Sequence, residues 1–476
     1  MPFWFPRFPR FLVLMTLFCT VFSLPSFSQF TKLHDFNDTL GAYPYGDLCI
    51  VGNKIYGMTS TGGAHQGGVI FSMNLDGSGY KDINDLAVSQ QPWGSLVNSG
   101  AMLYGMTSGG YSGSNYGSVF SIDTSGTTFK TILPFNSTNG QYPFGSLTLA
   151  GNVLYGMCNT GEADGDGAVF SVHTDGSNFI DVLNFDGTNG GYPYGSLLLK
   201  GNVLYGMCSA GGTGLGDGTV FSIGTNGLGF NNMNTFGGSN GDSPLGSLIL
   251  SDSMLYGMTY SGGLRGQGTI FSIDTTGANF STIYNFGESA GNASGSLTMA
   301  GNVLYGMMSA GGKNYLGGIF SVNPDGSDFT VVYSFDSING YHPYGSLVLS
   351  GDALYGMCLN GGKDSVGVIF KYANVLGISE NSMPGIDVSV YPNPARGEFT
   401  VQVAVASGAA PGPGVVSYTV SLLDLTGRKI INNKSFQASA KMKIDMEELP
   451  AGLYFVQVTD LRSGNSCSKK LLLLSR

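Results

Sequence analysis

The sequence predicts an all-β fold: a seven-bladed β-propeller closed by an N-terminal strand, followed by an Ig-like C-terminal β-sandwich. Three observations carry this expectation. The triplet Tyr-Gly-Met begins at Tyr56, Tyr104, Tyr155, Tyr205, Tyr256, Tyr305 and Tyr355, at intervals of 48, 51, 50, 51, 49 and 50 residues. Within a period, pairs such as Gly151-Asn152 and Asp175-Gly176 mark tight hairpin turns, because these residues tolerate positive φ. Composition agrees: glycine is 76 of 476 residues and charged residues are 11%, against typical shares of ~7% and ~25%. With 12% aromatics and no strict Gly-X-Y period, the chain is neither disordered low-complexity sequence nor collagen.

The third copy shows the unit most clearly. Gly145–Leu149 alternates as a first strand, Val153–Cys158 reads as a second, Ala168–His173 as a third and Phe179–Phe185 as a fourth. Four antiparallel strands per repeat of this length make a propeller blade. One blade cannot bury both faces, so copies must stack. A solenoid of parallel coils is the competing architecture, but its coils are usually shorter and lack these hairpin turns.

The two ends of the array complement each other. Six copies carry the fourth strand, ending at Leu86, Phe135, Phe185, Phe236, Phe286 and Phe335, whereas the seventh stops after Val368-Ile-Phe370. The missing piece is Phe30-Thr-Lys-Leu-His-Asp-Phe36, which matches the pattern of Phe179–Phe185. An N-terminal strand completing the last blade removes the open edge that invites aggregation. The expected division is a signal peptide over 1–28, a propeller over 29–374, a linker over 375–385 and a C-terminal domain over 386–476.

The signal is expected from Arg7 and Arg10, the apolar run Phe11 to Phe22, and the small residues Ser26 and Ser28 before the cut. That run is too short for a membrane span, so no transmembrane span is expected in the mature chain. Removing the segment takes two positive charges from a formal charge of −10, leaving −12. An acidic chain without basic clusters argues against nucleic acid as a partner. Cys158, Cys208 and Cys358 share one repeat position. Blades pack roughly 10 Å apart, beyond the ~7 Å reach of a disulfide, so these read as small buried apolar residues.

The recurring GSL, LYGM, GG-containing loop and VFS segments, over roughly residues 40–370, resemble the GloVer repeat of choice-of-anchor tandem repeat proteins. That resemblance implies a surface-associated repeat protein and says little about ligands. After the array the text changes. Tyr391-Pro392-Asn393-Pro394, the Asp-x-x-Gly427-Arg turn, the strand around Gly452-Leu-Tyr and the terminal Lys469-Lys470-Leu run stand in order. Their short alternating strands suggest a small sandwich. They resemble the type A C-terminal sorting domain of type IX (Por) secretion. The resemblance implies export by the type IX secretion machinery, release or attachment at the outer surface, and a host of the Bacteroidetes kind. The lysine pair also fits a plain solvated strand end.

Chemistry is less legible. The four histidines fall at different repeat positions without metal-ligand spacing, and no HExxH or P-loop occurs; the GxSxG strings at Gly237–Gly241 and Gly287–Gly291 follow fourth-strand patterns in an all-β repeat, so neither reads as a strand-to-helix nucleophile elbow. No cofactor, metal or catalytic residue is therefore expected. Glu162, Asp164 and Asp166 share one loop and Asp217 lies in the equivalent loop of the next copy; an acidic solvated loop explains them better than a calcium site does. The aromatic residues before the first strand are the candidate ligand-binding set: Tyr43, Tyr45, Trp93, Tyr142, Phe144, Tyr192, Tyr194 and Tyr344. On a propeller face near the axis they would suit sugar or peptide. Alternatively they pack between blades and fix the turn. Leu245 and Ser294 replace the second aromatic in copies five and six, so any such ring is lopsided. A non-enzymatic binding or adhesion module for glycan or protein is the expected function, with a polysaccharide-active hydrolase or lyase as the alternative.

Overall fold

The computed structural model describes residues 29–474 apart from 110–115, 162–164, 213–215, 288–289, 374, 376–385, 406–416, 424–428, 438–440, 447–448, 451 and 462–465. Among the described residues every regular element is a strand. The repeats form seven four-stranded antiparallel sheets, six of them built from strands of a single copy. The third is typical: Thr148–Ala150, Val153–Cys158, Ala168–His173 and Ile180–Asn184, paired in that order. Residues 1–28, where the signal peptide is expected, lie outside the described residues.

The Tyr-Gly-Met triplet has a packing reason. Each of its glycines faces a phenylalanine across the strand pair, as Gly156 faces Phe170. A Cβ at Gly156 would meet the Phe170 ring at 2.5 Å, and the Gly57, Gly105, Gly206, Gly257, Gly306 and Gly356 positions are filled in the same way. The ring occupies the volume that a side chain would need, which compensates the glycine. The flanking tyrosine and methionine are buried, as Tyr155 and Met157 are.

The cores lie between sheets rather than within them. Tyr155, Met157, Val169 and Phe185 of the third sheet share one cluster with Leu197, Leu204, Phe221 and Ile223 of the fourth. At six of the seven seams the phenylalanine ending a fourth strand meets the central ring of the next sheet edge-on, as Phe185–Phe221 does at 5.3 Å and Phe135–Phe170 at 5.1 Å, while Leu86 takes that place beside Phe120. Edge-to-face pairs at this spacing add to area burial.

The seam between the last sheet and the first is built identically. The last sheet runs Val348–Ser350, Ala353–Cys358, Val368–Ala373 and then Phe30–Asp35, so the N-terminal strand supplies its fourth member. Phe30 pairs with Tyr372 and Asp35 with Val368, with a bulge between Lys32 and His34. The Phe36 amide donates to the Gly367 carbonyl at 3.0 Å, as Phe185 does to Gly167 at 3.0 Å. Phe36 is fully buried and meets Phe71 of the first sheet edge-on at 5.4 Å. The pairing expected from comparing the chain's two ends is present.

One expectation needs correcting. The first strand of each copy is three residues, Thr148–Ala150 in the third, instead of Gly145–Leu149. Gly145 and Ser146 turn away from their own sheet and bond to the neighbouring copy, as described below.

In the C-terminal region Ile386–Tyr391, Glu398–Val405 and Lys441–Asp445 form one antiparallel sheet. Lys429–Gln437, Ser417–Leu423, Gly452–Asp460 and Ser466–Leu473 form a second. Phe399, Val401 and Ile444 of the first share one buried cluster with Tyr418, Val420, Val456 and Leu471 of the second.

Candidate binding site at the centre of the repeat array

Each copy enters its first strand through a segment of the type Tyr-Pro-Tyr-Gly-Ser-Leu. Its residues take three separate roles. The glycine sits against the next copy: a Cβ at Gly46, Gly94, Gly145, Gly195, Gly246, Gly295 or Gly345 would lie 2.0–2.3 Å from the carbonyl oxygen of the equivalent glycine one copy on, with Gly345 meeting Gly46. No other residue fits at that approach.

The following residue continues the relay. The Asp47 amide donates to Ser95 Oγ at 2.5 Å, Ser95 to Ser146 at 2.8 Å, Ser146 to Ser196 at 2.7 Å and Ser196 to Ser247 at 2.7 Å. Ser247 donates to Ser296 and Ser296 to Ser346, both at 2.8 Å, and the Ser346 amide closes the circle on Asp47 Oδ1. Seven amides are thus satisfied by six hydroxyls and one carboxylate, each from the neighbouring copy.

The second aromatic position forms the collar above this circle. Ring contacts run from Tyr344 to Tyr45 at 5.6 Å, Tyr45 to Trp93 at 4.3 Å, Trp93 to Phe144 at 4.9 Å and Phe144 to Tyr194 at 5.1 Å. Tyr45–Trp93 and Phe144–Tyr194 are stacked, at 7° and 12° between ring planes. Leu245 and Ser294 complete the collar without rings. Glycines, hydroxyls and collar together line an axial pocket of about 90 Å³. A cavity of ~150 Å³ is what encloses benzene. The pocket therefore takes a chain end or a small polar group, while anything as large as a sugar ring rests on the rim.

The candidate aromatics consequently divide in two. Tyr45, Trp93, Phe144, Tyr194 and Tyr344 line the pocket; Tyr43, Tyr142 and Tyr192 do not. Those three hold left-handed backbone, with φ of 55°, 53° and 53°. Their amides and carbonyls clip two neighbouring loops together: the Tyr43 amide donates to Val366 at 2.8 Å, and Ser60 donates to the Tyr43 carbonyl at 3.1 Å. Tyr43 is 37% and Tyr192 41% exposed.

Asp47 is the one charged residue in the pocket lining. Burial pushes its carboxyl above the ordinary range, outweighing the opposing hydrogen bonds from the Ser346 amide and the Ser346 and Ser95 hydroxyls. Its remaining exposure is to the narrow axial space, where solvation is poor. Ser294, only 8% exposed, has a hydroxyl with no hydrogen-bond partner at the pocket edge. Sequence reading missed this hydroxyl circle; the signal for it was the single Asp47 among six serines.

Other candidate positions fall as follows. Glu162 and Asp164 lie outside the described residues, while Asp166 and Asp217 offer their carbonyls to the Tyr192 and Ser243 amides. Among the described residues no group of three or more His, Cys, Asp or Glu side chains is arranged to hold a metal. Cys158, Cys208 and Cys358 are fully buried, and burial raises the Cys208 and Cys358 thiols.

In the C-terminal region Tyr391, Pro392, Asn393 and Pro394 form an exposed bend after the first strand. The Tyr391 hydroxyl donates to Gln402 Oε1 at 3.0 Å. The next residue, Ala395, is buried and bridges to Leu473, tying the bend to the last strand. Gly452 opens its strand, and Lys469 and Lys470 pair with Val456 and Phe455. Gly427 lies outside the described residues.

The family model described as the Gloeobacter/Verrucomicrobia repeat matches residues 18–221, 81–263 and 214–379. The chain belongs to this family. The model described as a secretion system C-terminal sorting domain matches residues 389–473. The protein is accordingly one that is secreted or attached at the cell surface, through the secretion machinery that handles this domain. Among the described residues no helix is long and apolar enough to cross a membrane. No curated protein matches the chain. Solved structures similar to it include a candidate 6-phosphogluconolactonase from Bacteroides fragilis, at 18% identity and TM-score 0.43, covering 84% of this chain and 98% of that one. A polysaccharide lyase, Uly1, is 11% identical with TM-score 0.42, covering 72% and 91%. Prolyl oligopeptidase B from Galerina marginata is 11% identical with TM-score 0.42, covering 76% and 56%.

Proposed function

We propose that the protein is a binding or adhesion module whose ligand, a glycan or a protein, docks on the aromatic collar with a small group entering the axial pocket. In this reading residues 29–374 are a seven-bladed propeller closed by the N-terminal strand. Residues 1–28 are a cleaved signal peptide, 375–385 a linker, and 386–476 an Ig-like sorting domain of type A in a Bacteroidetes-type host. The closed circle of serine hydrogen bonds and the matching seam at Phe36 support the seven-bladed ring.

One observation carries the functional reading: five aromatic side chains and a single carboxylate, Asp47, line one pocket at the centre of the array. The alternative of a polysaccharide hydrolase or lyase usually calls for two converging carboxylates, and the pocket lining contributes one, Asp47.

The test is a glycan array and a panel of surface proteins probed with the full exported chain, with reducing-sugar release measured alongside. Selective binding without turnover is expected, weakened at least about tenfold by Tyr194→Ala, since aromatic anchors at an interface centre carry ~2 kcal/mol or more. Turnover of any glycan would replace the binding reading by the enzymatic one. Binding indifferent to Tyr194→Ala would remove the collar from the site.

A further inference from the structure

The geometry points to a primary ammonium group as what the axial pocket takes in, held by Asp47 and the surrounding serine oxygens. This rests on the proposed docking face and adds the chemistry of the group that enters it.

The charge inventory leads to this. Twenty of the twenty-one lining residues are neutral and the remaining one is Asp47, with no lysine, arginine or histidine among them. An anionic group would meet an uncompensated carboxylate and be repelled. A neutral group would leave the carboxyl without a counter-charge in a confined, aromatic-walled space that favours its protonated form, whereas a cation beside it stabilises the ionised form.

The oxygen inventory agrees. Every serine Oγ of the circle already accepts one amide hydrogen, at 2.5–2.8 Å. A hydroxyl oxygen has two lone pairs, so each retains one acceptor site. Asp47 accepts from the Ser346 amide and from the Ser346 and Ser95 hydroxyls, which leaves about one further carboxylate lone-pair site. An ammonium needs three acceptors and no donors, which this lining supplies.

Size and walls separate an ammonium from a metal ion. Calcium takes six to eight oxygens at ~2.3–2.6 Å in a cage that excludes hydrocarbon. Here five of the seven collar positions are aromatic rings and one is Leu245. A volume of about 90 Å³ admits the end of an alkylammonium chain. Two sources share this chemistry, a lysine side chain of a protein and an amino sugar of a glycan.

Trp93 makes the test direct. The chain has two tryptophans, Trp4 and Trp93, and Trp4 lies in the segment expected to be cleaved. Emission of the exported full chain therefore reports on the collar. The probes are Nα-acetyl-lysine amide, glucosamine and n-butylammonium, with the neutral isosteres Nα-acetyl-norleucine amide, glucose and butanol at equal ionic strength. The variant is D47S, which installs the residue that the other six copies use and retains an acceptor for the Ser346 amide.

Saturable change in Trp93 emission with at least one ammonium probe is expected, at least tenfold weaker with its isostere and at least tenfold weaker in D47S. Comparison of the lysine and glucosamine arms assigns the source. Equal response to the neutral isosteres, an unaltered response in D47S whose circular dichroism matches wild type, no saturable response to any ammonium probe, or the same change with calcium chloride alone would each overturn the ammonium assignment. Failure here is distinguishable from failure of the docking reading. A glycan or protein that binds the collar, is lost in Tyr194→Ala and is indifferent to D47S leaves the docking face standing without the ammonium. A D47S-sensitive ammonium response with no macromolecular ligand does the reverse.

Discussion

Replacing Gly195 by alanine tests the inner circle at its tightest point. The new Cβ would lie 2.0 Å from the Gly246 carbonyl oxygen, so the two copies must part by about 1.4 Å to reach ordinary contact at 3.4 Å. Backbone faces backbone there, and no side chain can swing aside. Overpacking of this kind costs about 1–3 kcal/mol. Parting the copies also stretches the Ser196 amide bond to Ser247 Oγ, now 2.7 Å. At about 1 kcal/mol for that lost bond, the total is about 2–4 kcal/mol. Gly201→Ala is the control. Gly201 holds φ +60° in the hairpin turn with nothing within 4 Å of its would-be Cβ, so it loses only the left-handed strain, about 1 kcal/mol. Urea unfolding of the full chain, followed by Trp93 emission, compares the midpoints. Gly195→Ala should unfold far earlier than Gly201→Ala. Equal midpoints, or a Gly195→Ala variant within about 0.5 kcal/mol of wild type, would refute the close-packed circle.

Two further predictions concern pH. Burial first, and then the Asp85 carboxylate, push Asp82 up to about 6. A raised acid contributes stability that is complete below the ordinary carboxylate range and is lost as pH rises through about 6. Asp82 is partly exposed, so an unscreened cost of about 3 kcal/mol shrinks to about 1 kcal/mol; Asp82→Asn should be more stable than wild type by that amount at pH 8 and equal to it at pH 4, read as urea midpoints. Asp47 is raised by burial in the same sense, so D47S should gain stability relative to wild type as pH rises from the acidic range to neutrality, and a constant difference across that range would remove the carboxylate from the axial space.

How much of this was legible in the sequence depends on how local each interaction is. The strands, their hairpins and their number follow from short-range signals, the Tyr-Gly-Met triplet and the Asp-Gly and Gly-Asn turns. The pairing of the N-terminal strand with the last sheet was legible too, because Phe30–Phe36 repeats a recognisable fourth-strand pattern at the wrong end of the chain. The hydroxyl circle was not. Each of its bonds joins residues about fifty positions apart, as Ser146 and Ser196 are, and Gly-Ser-Leu reads as the start of an ordinary strand. The same blindness hid the anchors of the diglycine loops: Asp85 accepts the Ala64 amide, Asn285 the Leu264 amide, Ser334 the Lys313 amide and Asp35 the Lys363 amide. Three residue types fill that one role, so no motif survives to be read. The aromatic set was found but not divided, because a left-handed φ at Tyr43, Tyr142 and Tyr192 is invisible in their identities.

The axial pocket exists only if the last sheet is sealed by the N-terminal strand, and amide hydrogen exchange measures that seal. Peptides covering Phe30–Asp35 should be protected to the same degree as those covering Ile180–Asn184, the equivalent interior strand. Exchange of Phe30–Asp35 within seconds, while Ile180–Asn184 stays protected, would contradict the closed ring and the pocket built on it.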